Sequence, residues 1–304
     1  MKLNLSELRP TVTRAPYRMM IYGQPSIGKS TFASHAPNPI FADIEKGANA
    51  IAVVKVPIST WPDFLPFCRE LYQQEHEFKT LVLDSLDWLV KLMIDYVVSE
   101  FNKAKGCTAT DLMDISRFGG PGQGYLLLDK EVQKMIRAMD ALREHKKMNI
   151  LLIAHEPSEG KTVNDLIHGQ FTRYDIKTEK RVAAMIVEWC DFVFRAAQDL
   201  DVKVEGNKNR GAKGKAVYNG RILYTKNQGN LLAKRRIDLP DILNLDYAEF
   251  AEAEEAAYKR KVQEASEIFA DTRLTPSTVR RDLNGSNVFI TADQALTAEA
   301  ITFN

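Results

Sequence analysis

Apolar residues fall along this chain in short blocks of two kinds, and the blocks alternate. Arg18–Tyr22 (RMMIY), Ile40–Asp43, Ala52–Val56, Thr80–Leu83 (TLVL) and Asn149–Ala154 (NILLIA) are brief apolar runs, the pattern of strands buried on both faces of a parallel sheet. Phe192–Ala196 and Arg221–Thr225 read as later strands separated by a polar, basic loop. Between the runs lie stretches of helical character: Lys29–His35, closed by a turn at Pro37 and Pro39, then Trp61–Glu75, Leu86–Phe101 and Leu126–Lys146. In Trp61–Glu75 the residues Phe64, Phe67, Cys68, Leu71 and Tyr72 recur at three- and four-residue steps. Phe118–Tyr125 (FGGPGQGY) reads as a glycine-rich loop and His155–Lys180 as a polar stretch. Strands alternating with helices predict an α/β core, a mostly parallel twisted sheet with helices on both faces. Beyond Leu245 the texture changes to a charged helix, Tyr247–Phe269, and a polar, weakly periodic tail expected to be flexible. The expected division is an arm over 1–16, a core over 17–246, and a helical and flexible end over 247–304.

Composition changes this picture little. The chain has 304 residues, 45% hydrophobic and 27% charged, ordinary for a globular protein that folds without disulfides. A formal net charge of +1 makes no global case for nucleic acid, so any such case has to be local. Cys68, Cys107 and Cys190 are too scattered for a zinc cluster or disulfide framework and read as thiols of a reducing cytoplasm. The N-terminal stretch lacks the apolar segment of a secretory signal, and no run approaches the ~20 residues of a membrane span. The expectation is a cytoplasmic protein with no membrane partner.

The chemistry is concentrated in one segment. Gly23-Gln24-Pro25-Ser26-Ile27-Gly28-Lys29-Ser30 matches G-x-x-x-x-G-K-[ST] at every position, with a strand before it and a helix after it. Such a loop turns successive backbone N–H groups onto a phosphate, and the following helix aims its positive end at the same anion. Lys29 reaches the β- and γ-phosphates, the Ser30 hydroxyl ligates Mg2+, and Thr31 lies near the α-phosphate. ATP with magnesium is the expected ligand. A loop of this kind needs an acid at the end of a neighbouring strand to hold the metal's water shell, and Asp84 after TLVL supplies it; a turn or N-cap aspartate is the plainer reading. Asp84 is not followed by a glutamate, so a base for the attacking water has to come from elsewhere. Glu45 in Phe41-Ala42-Asp43-Ile44-Glu45 is the candidate, with Asp43 in support; an exposed turn glutamate is the alternative.

Together these segments resemble the RecA-type branch of P-loop ATPases. The resemblance implies that the glutamate after the second strand (Glu45 in FADIEKGA) is catalytic and that TLVLDSL is the Walker B strand. It also implies that His155, at the end of NILLIAHE, senses the γ-phosphate where bacterial RecA has glutamine. His155 as a simple strand cap stays open beside that role. Within the branch the chain is similar to the phage-encoded RecA-like single-strand annealing proteins of the Sak group, over roughly Tyr17–Leu245. Such ATPases hydrolyse ATP between subunits with a basic residue from the neighbour. That implies a homo-oligomer, ring or filament, in which Lys234 is a sensor and Arg236 a finger; a solvated basic cluster is the alternative. The resemblance further implies single-stranded DNA as partner, with a single-strand-binding protein possible beside it. Gly119–Tyr125 falls at the first DNA loop of that family, with Arg117 and Phe118 beside it, and His155–Lys180 falls at the second. The basic run Lys203–Lys215 adds Lys208, Arg210 and Lys213. A DnaB-type hexameric motor and a KaiC-like nucleotide-dependent scaffold without DNA are the competing functions.

Overall fold

Runs apolar enough to be covered on both sides become neighbouring strands of one sheet. The computed structural model describes residues 12–47, 51–165, 169–205, 213–274, 277–281 and 287–291. The chain runs through β1 (Arg18–Gly23), α1 (Lys29–Ser34), β2 (Pro39–Asp43), β3 (Val54–Pro57), α2 (Trp61–Gln73), β4 (Thr80–Asp84), α3 (Leu86–Lys105), α4 (Leu112–Gly119), α5 (Gln123–His145) and β5 (Asn149–His155). It continues through β6 (Lys161–Asp165), β7 (Gly169–Arg173), α6 (Lys180–Trp189), β8 (Phe192–Glu205), β9 (Lys213–Tyr224), β10 (Ile242–Asn244), α7 (Tyr247–Leu274), β11 (Ser277–Arg281) and β12 (Asn287–Thr291). Ala15–Glu254 form one unit, and Met1–Arg14 with Glu255–Asn304 form the other. Among the described residues no helix is long and apolar enough to cross a membrane.

In the larger unit eight strands form one sheet in the order β10-β9-β8-β1-β5-β4-β2-β3. The ladders from β8 through β1, β5, β4 and β2 to β3 are all parallel, and β9 and β10 add antiparallel strands at one edge. Alternate side chains leave opposite faces of a strand, so each buried run feeds two cores. Met20, Tyr22, Leu81, Leu83, Ile150 and Leu152 pack with Phe64, Leu89, Val90, Met93, Val132, Met135 and Ile186 of α2, α3, α5 and α6. On the other face Phe192 and Phe194 of β8 meet Phe250 at ring-centroid distances of 5.7 Å each, and Phe32 of α1 meets Tyr247 at 5.4 Å. The start of α7 is therefore part of the core. In the smaller unit β11 and β12 pair as an antiparallel hairpin within the segment read as a weakly periodic tail, and Arg14 lies over the Tyr258 ring at 5.8 Å.

The sheet and helices on both faces are as the pattern of the sequence predicts. Three local expectations change. Phe118–Tyr125 is not a free loop: α4 ends at Gly119 and α5 already begins at Gln123. Asp111 caps α4 by accepting from Met113 and Asp114 N–H at 2.8 Å each, and the two helices pack so tightly that a Cβ on Gly124 would stand 2.2 Å from the Leu112 carbonyl oxygen. That glycine is explained by helix packing. The polar stretch after His155 contains the antiparallel pair β6 and β7. The two short strands expected at Phe192–Ala196 and Arg221–Thr225 are the ends of a long antiparallel ribbon, β8 with β9. Lys208 and Arg210 of the basic run lie outside the described residues.

Candidate nucleotide site

Four parallel strands end side by side at one edge of the sheet, and their register decides what meets there. Gly23 pairs with His155 and Asp43 pairs with Asp84. In open α/β sheets this carboxyl edge is where ligands bind. The loop after β1 enters α1 through Gly28, whose φ of 111° is left-handed backbone that glycine adopts without strain. Ser30 Oγ donates to Asp84 Oδ2 at 2.7 Å, and Lys29 Nζ donates to the carbonyls of Gly23 and Gln24 at 3.0 and 2.8 Å. The loop after β2 folds against the end of β4, with Ile44 and Glu45 N–H both donating to the Asp84 carbonyl at 2.8 and 3.2 Å. That brings Glu45 Oε2 to 3.8 Å from His155 Nε2, while His155 N–H and Nδ1 lie 3.2 and 3.1 Å from Asp87 Oδ1.

The electrostatics suit a ligand that carries both a cation and phosphates. Burial pushes Asp84 upward; the Ser30 bond opposes this, but the charges of Glu45 and Asp43 raise it further. Asp43 Oδ1 is buried without a hydrogen-bond partner. Burial lowers Lys29 to about 8 against the pull of Asp84, Asp87 and Glu45. A divalent cation beside Asp84 would relieve the crowding of carboxylates. Among the described residues no group of three His, Cys, Asp or Glu could hold a metal by itself. The donor set fits magnesium held by Ser30, water and phosphate, since that ion keeps much of its water shell.

Pro25, Ser26, Gly28, Lys29, Ser30 and Thr31 line a cavity of about 360 Å³ together with Glu45, Asp84 and His155. Gly23 is the last residue of β1, and its carbonyl accepts from Lys29 Nζ. Gln24 and Ile27 face a second cavity of about 240 Å³, where Glu156, 3% exposed, is paired with Arg195 at 2.9 Å. Lys234 and Arg236 are not brought to the first cavity in their own chain. They lie at the other edge of the sheet, where β1 and β8 begin. Lys234 exchanges backbone bonds with Val193, and its Nζ donates to the carbonyls of Val187 and Glu188 at 2.8 Å each. Arg236 Nε lies 3.1 Å from Asp191 Oδ1, which Arg18 also holds. Two site residues escape a reading of the sequence. Asp87 lies three residues after Asp84, in the first turn of α3, and looks like an ordinary helix-start acid. Arg221 reaches the cavity from β9, donating NH1 to the Ile27 carbonyl at 3.2 Å, and no local pattern marks it.

Comparison with known proteins gives likenesses of three kinds. The SPbeta prophage-derived uncharacterized protein YorG of Bacillus subtilis (strain 168) is 25% identical over 183 residues, 57% of this chain and 48% of that protein. The chain thus spans about half the length of the curated relative it matches. Among solved structures, the RadB recombinase aligns over 67% of this chain and 87% of its own at 15% identity, with a TM-score of 0.35. The AAA domain family matches residues 15–237. That match takes in the phosphate loop together with the strands whose ends surround it, and the chain therefore belongs to the AAA domain family, with the fold of a P-loop NTPase.

Proposed function

We propose that the chain is an ATPase that works as a homo-oligomer on single-stranded DNA, in the annealing or strand-exchange manner of phage RecA-like proteins. The observation that carries the ATPase reading is the 2.7 Å bond from Ser30 Oγ to Asp84 Oδ2, made beside Lys29 and within one cavity with Glu45. This pair is the arrangement that holds magnesium in a P-loop NTPase, and the ion would neutralise charge on the β- and γ-phosphates. Lys29 would turn from the loop carbonyls to the phosphates, and Glu45 would take a proton from the attacking water.

The DNA reading is supported by how β6 and β7 are attached. Lys177 N–H, beyond β7, donates to the His155 carbonyl at 2.7 Å, and Glu156 N–H donates to the Gly23 carbonyl at 3.2 Å. The foot of the hairpin is thus tied to the strand end that faces the nucleotide, a mechanical route between ATP and whatever the hairpin grips. The prophage origin of YorG agrees with a phage-type protein. Arg236, with its side chain 53% exposed, is the cation we assign to a neighbouring subunit's site.

Steady-state ATP turnover with and without single-stranded DNA tests this reading, on the native chain and on Glu45→Gln. DNA-stimulated turnover that drops at least a hundredfold in the variant is expected. Turnover indifferent to DNA, with no gel shift at low salt, overturns the DNA part. Full turnover in Glu45→Gln removes Glu45 as the base.

A further inference from the structure

Asp87 stands at the second position of α3, where an acidic side chain is ordinarily accounted for by the positive end of a helix. Its surroundings ask for more. The side chain is 11% exposed, and both carboxylate oxygens lie 3.1 Å from His155 Nδ1 while Oδ1 also accepts from the His155 N–H. Two bonds to one residue, one to its backbone and one to its ring, fix where β5 ends and how the imidazole is turned. Burial pushes the Asp87 carboxyl upward, but hydrogen bonding, first of all from His155, outweighs it and holds the group below the usual carboxylate range. An ionised carboxylate only accepts, so the proton shared with Nδ1 belongs to the imidazole. In a neutral ring so held, Nε2 carries the lone pair, and Nε2 is the atom turned towards Glu45.

The 3.8 Å between His155 Nε2 and Glu45 Oε2 is too long for a direct hydrogen bond and points to a bridging water. A water ~2.8 Å from each atom would see them roughly 85° apart, near enough to its own H–O–H angle to donate to both. With both hydrogens engaged, its free lone pair would face the cavity where the γ-phosphate is expected.

We propose that Asp87 is a positioning residue that keeps the His155 proton on Nδ1, so that Nε2 joins Glu45 as a second acceptor for the water attacking the γ-phosphate. This rests on reading the cavity as hydrolytic. In the step itself the water oxygen bonds to the γ-phosphorus and the bond from phosphorus to the β-phosphate oxygen breaks. The electron pair leaves with ADP, and the water's proton passes to Glu45. His155 gives up no proton; it orients the water.

The test combines histidine 15N NMR on the full-length chain with ATP kinetics, for native protein, Asp87→Asn, Asp87→Glu and His155→Gln. In the native chain the His155 signals, assigned by their loss in His155→Gln, should show the proton on Nδ1. An asparagine amide can donate to Nδ1, so Asp87→Asn should move the proton to Nε2. Its kcat should fall about 10- to 100-fold, with KM for ATP within about twofold. Asp87→Glu, which restores a carboxylate acceptor, should recover the Nδ1 tautomer and much of the rate, even where the asparagine variant is unstable. Asp87→Asn added to His155→Gln should cost nothing more. A proton on Nε2 in the native chain overturns the proposal, as does a kcat in Asp87→Asn within twofold of native once its tautomer has changed. If the chain binds ATP without turning it over, the hydrolytic reading fails, and the positioning of water fails with it. The tautomer measurement then still shows whether Asp87 orients His155.

Discussion

Arg18 grips Asp191 with two guanidinium bonds of 3.1 and 2.9 Å and a backbone bond of 3.0 Å, at the edge of the sheet away from the nucleotide site. Burial pushes Asp191 upward, but the bonds and charge of Arg18, and then the charge of Arg236, hold it below the usual range. A carboxyl whose folded-state value lies below its unfolded value of ~3.9 stabilises the fold above that pH and loses the contribution as pH falls through it. Asp191→Asn should therefore cost about 2 kcal/mol in urea unfolding at neutral pH. The gap from the native protein should narrow below about pH 4; a gap constant with pH refutes the assignment. At the nucleotide site, Arg221→Ala should weaken ATP binding about tenfold, or about 1.4 kcal/mol, in direct titration. An unchanged affinity sets Arg221 aside. These two arginines show the limit of local reading: Lys29 and Ser30 are announced by their neighbours in sequence, but Arg221 acquires a role only because β9 returns beside the phosphate loop.

The α4–α5 pair was hidden for a reason of the same kind. Its helices are joined by Gly120-Pro121-Gly122, which reads as open loop chemistry, while the Asp111 cap and the Gly124 contact become visible only in the packed hairpin. Gly124→Ala forces a Cβ into the Leu112 backbone and should cost about 1–3 kcal/mol, measured as a drop in thermal midpoint. A neutral substitution would show that the helices separate easily. The β8–β9 ribbon was under-read because its outer part is held by the antiparallel ladder, with Leu200 and Tyr218 exposed. Strands buried on both faces, such as β4 and β5, were legible because their composition has no other use.

Across the molecule, the start of α7 shares one aromatic core with Tyr17, Phe32 of α1 and the first residues of β8. Phe250 is fully buried among Tyr17, Phe192, Phe194 and Tyr247. Phe250→Ala should cost about 3–5 kcal/mol in denaturant unfolding, and truncation after Asp246 should be at least as damaging; tolerance of either would detach α7 from the core. Oligomerisation is testable at the same scale. If Arg236 serves a neighbour, specific ATPase activity should rise with protein concentration, and Arg236→Ala subunits should regain turnover when mixed with Glu45→Gln subunits. Concentration-independent turnover would leave Arg221, within the chain, as the cation beside Lys29 in the site.

By itself the sequence determined the phosphate loop, the parallel core and the acid at the end of β4, because each is written in contiguous residues whose spacing matches a local geometry. Glu45 and His155 were candidates from the sequence, but that they meet, and that Asp87 joins them, was decided by tertiary structure alone. Glu45, Asp87 and His155 are separated by long stretches of chain and meet only because β2, β4 and β5 end in register. Lys234 and Arg236, two residues apart in one basic cluster, contact α6 and Asp191 within their own chain, away from its nucleotide site. Strand order assigns those partners, and strand order depends on which faces bury one another, something no short segment records.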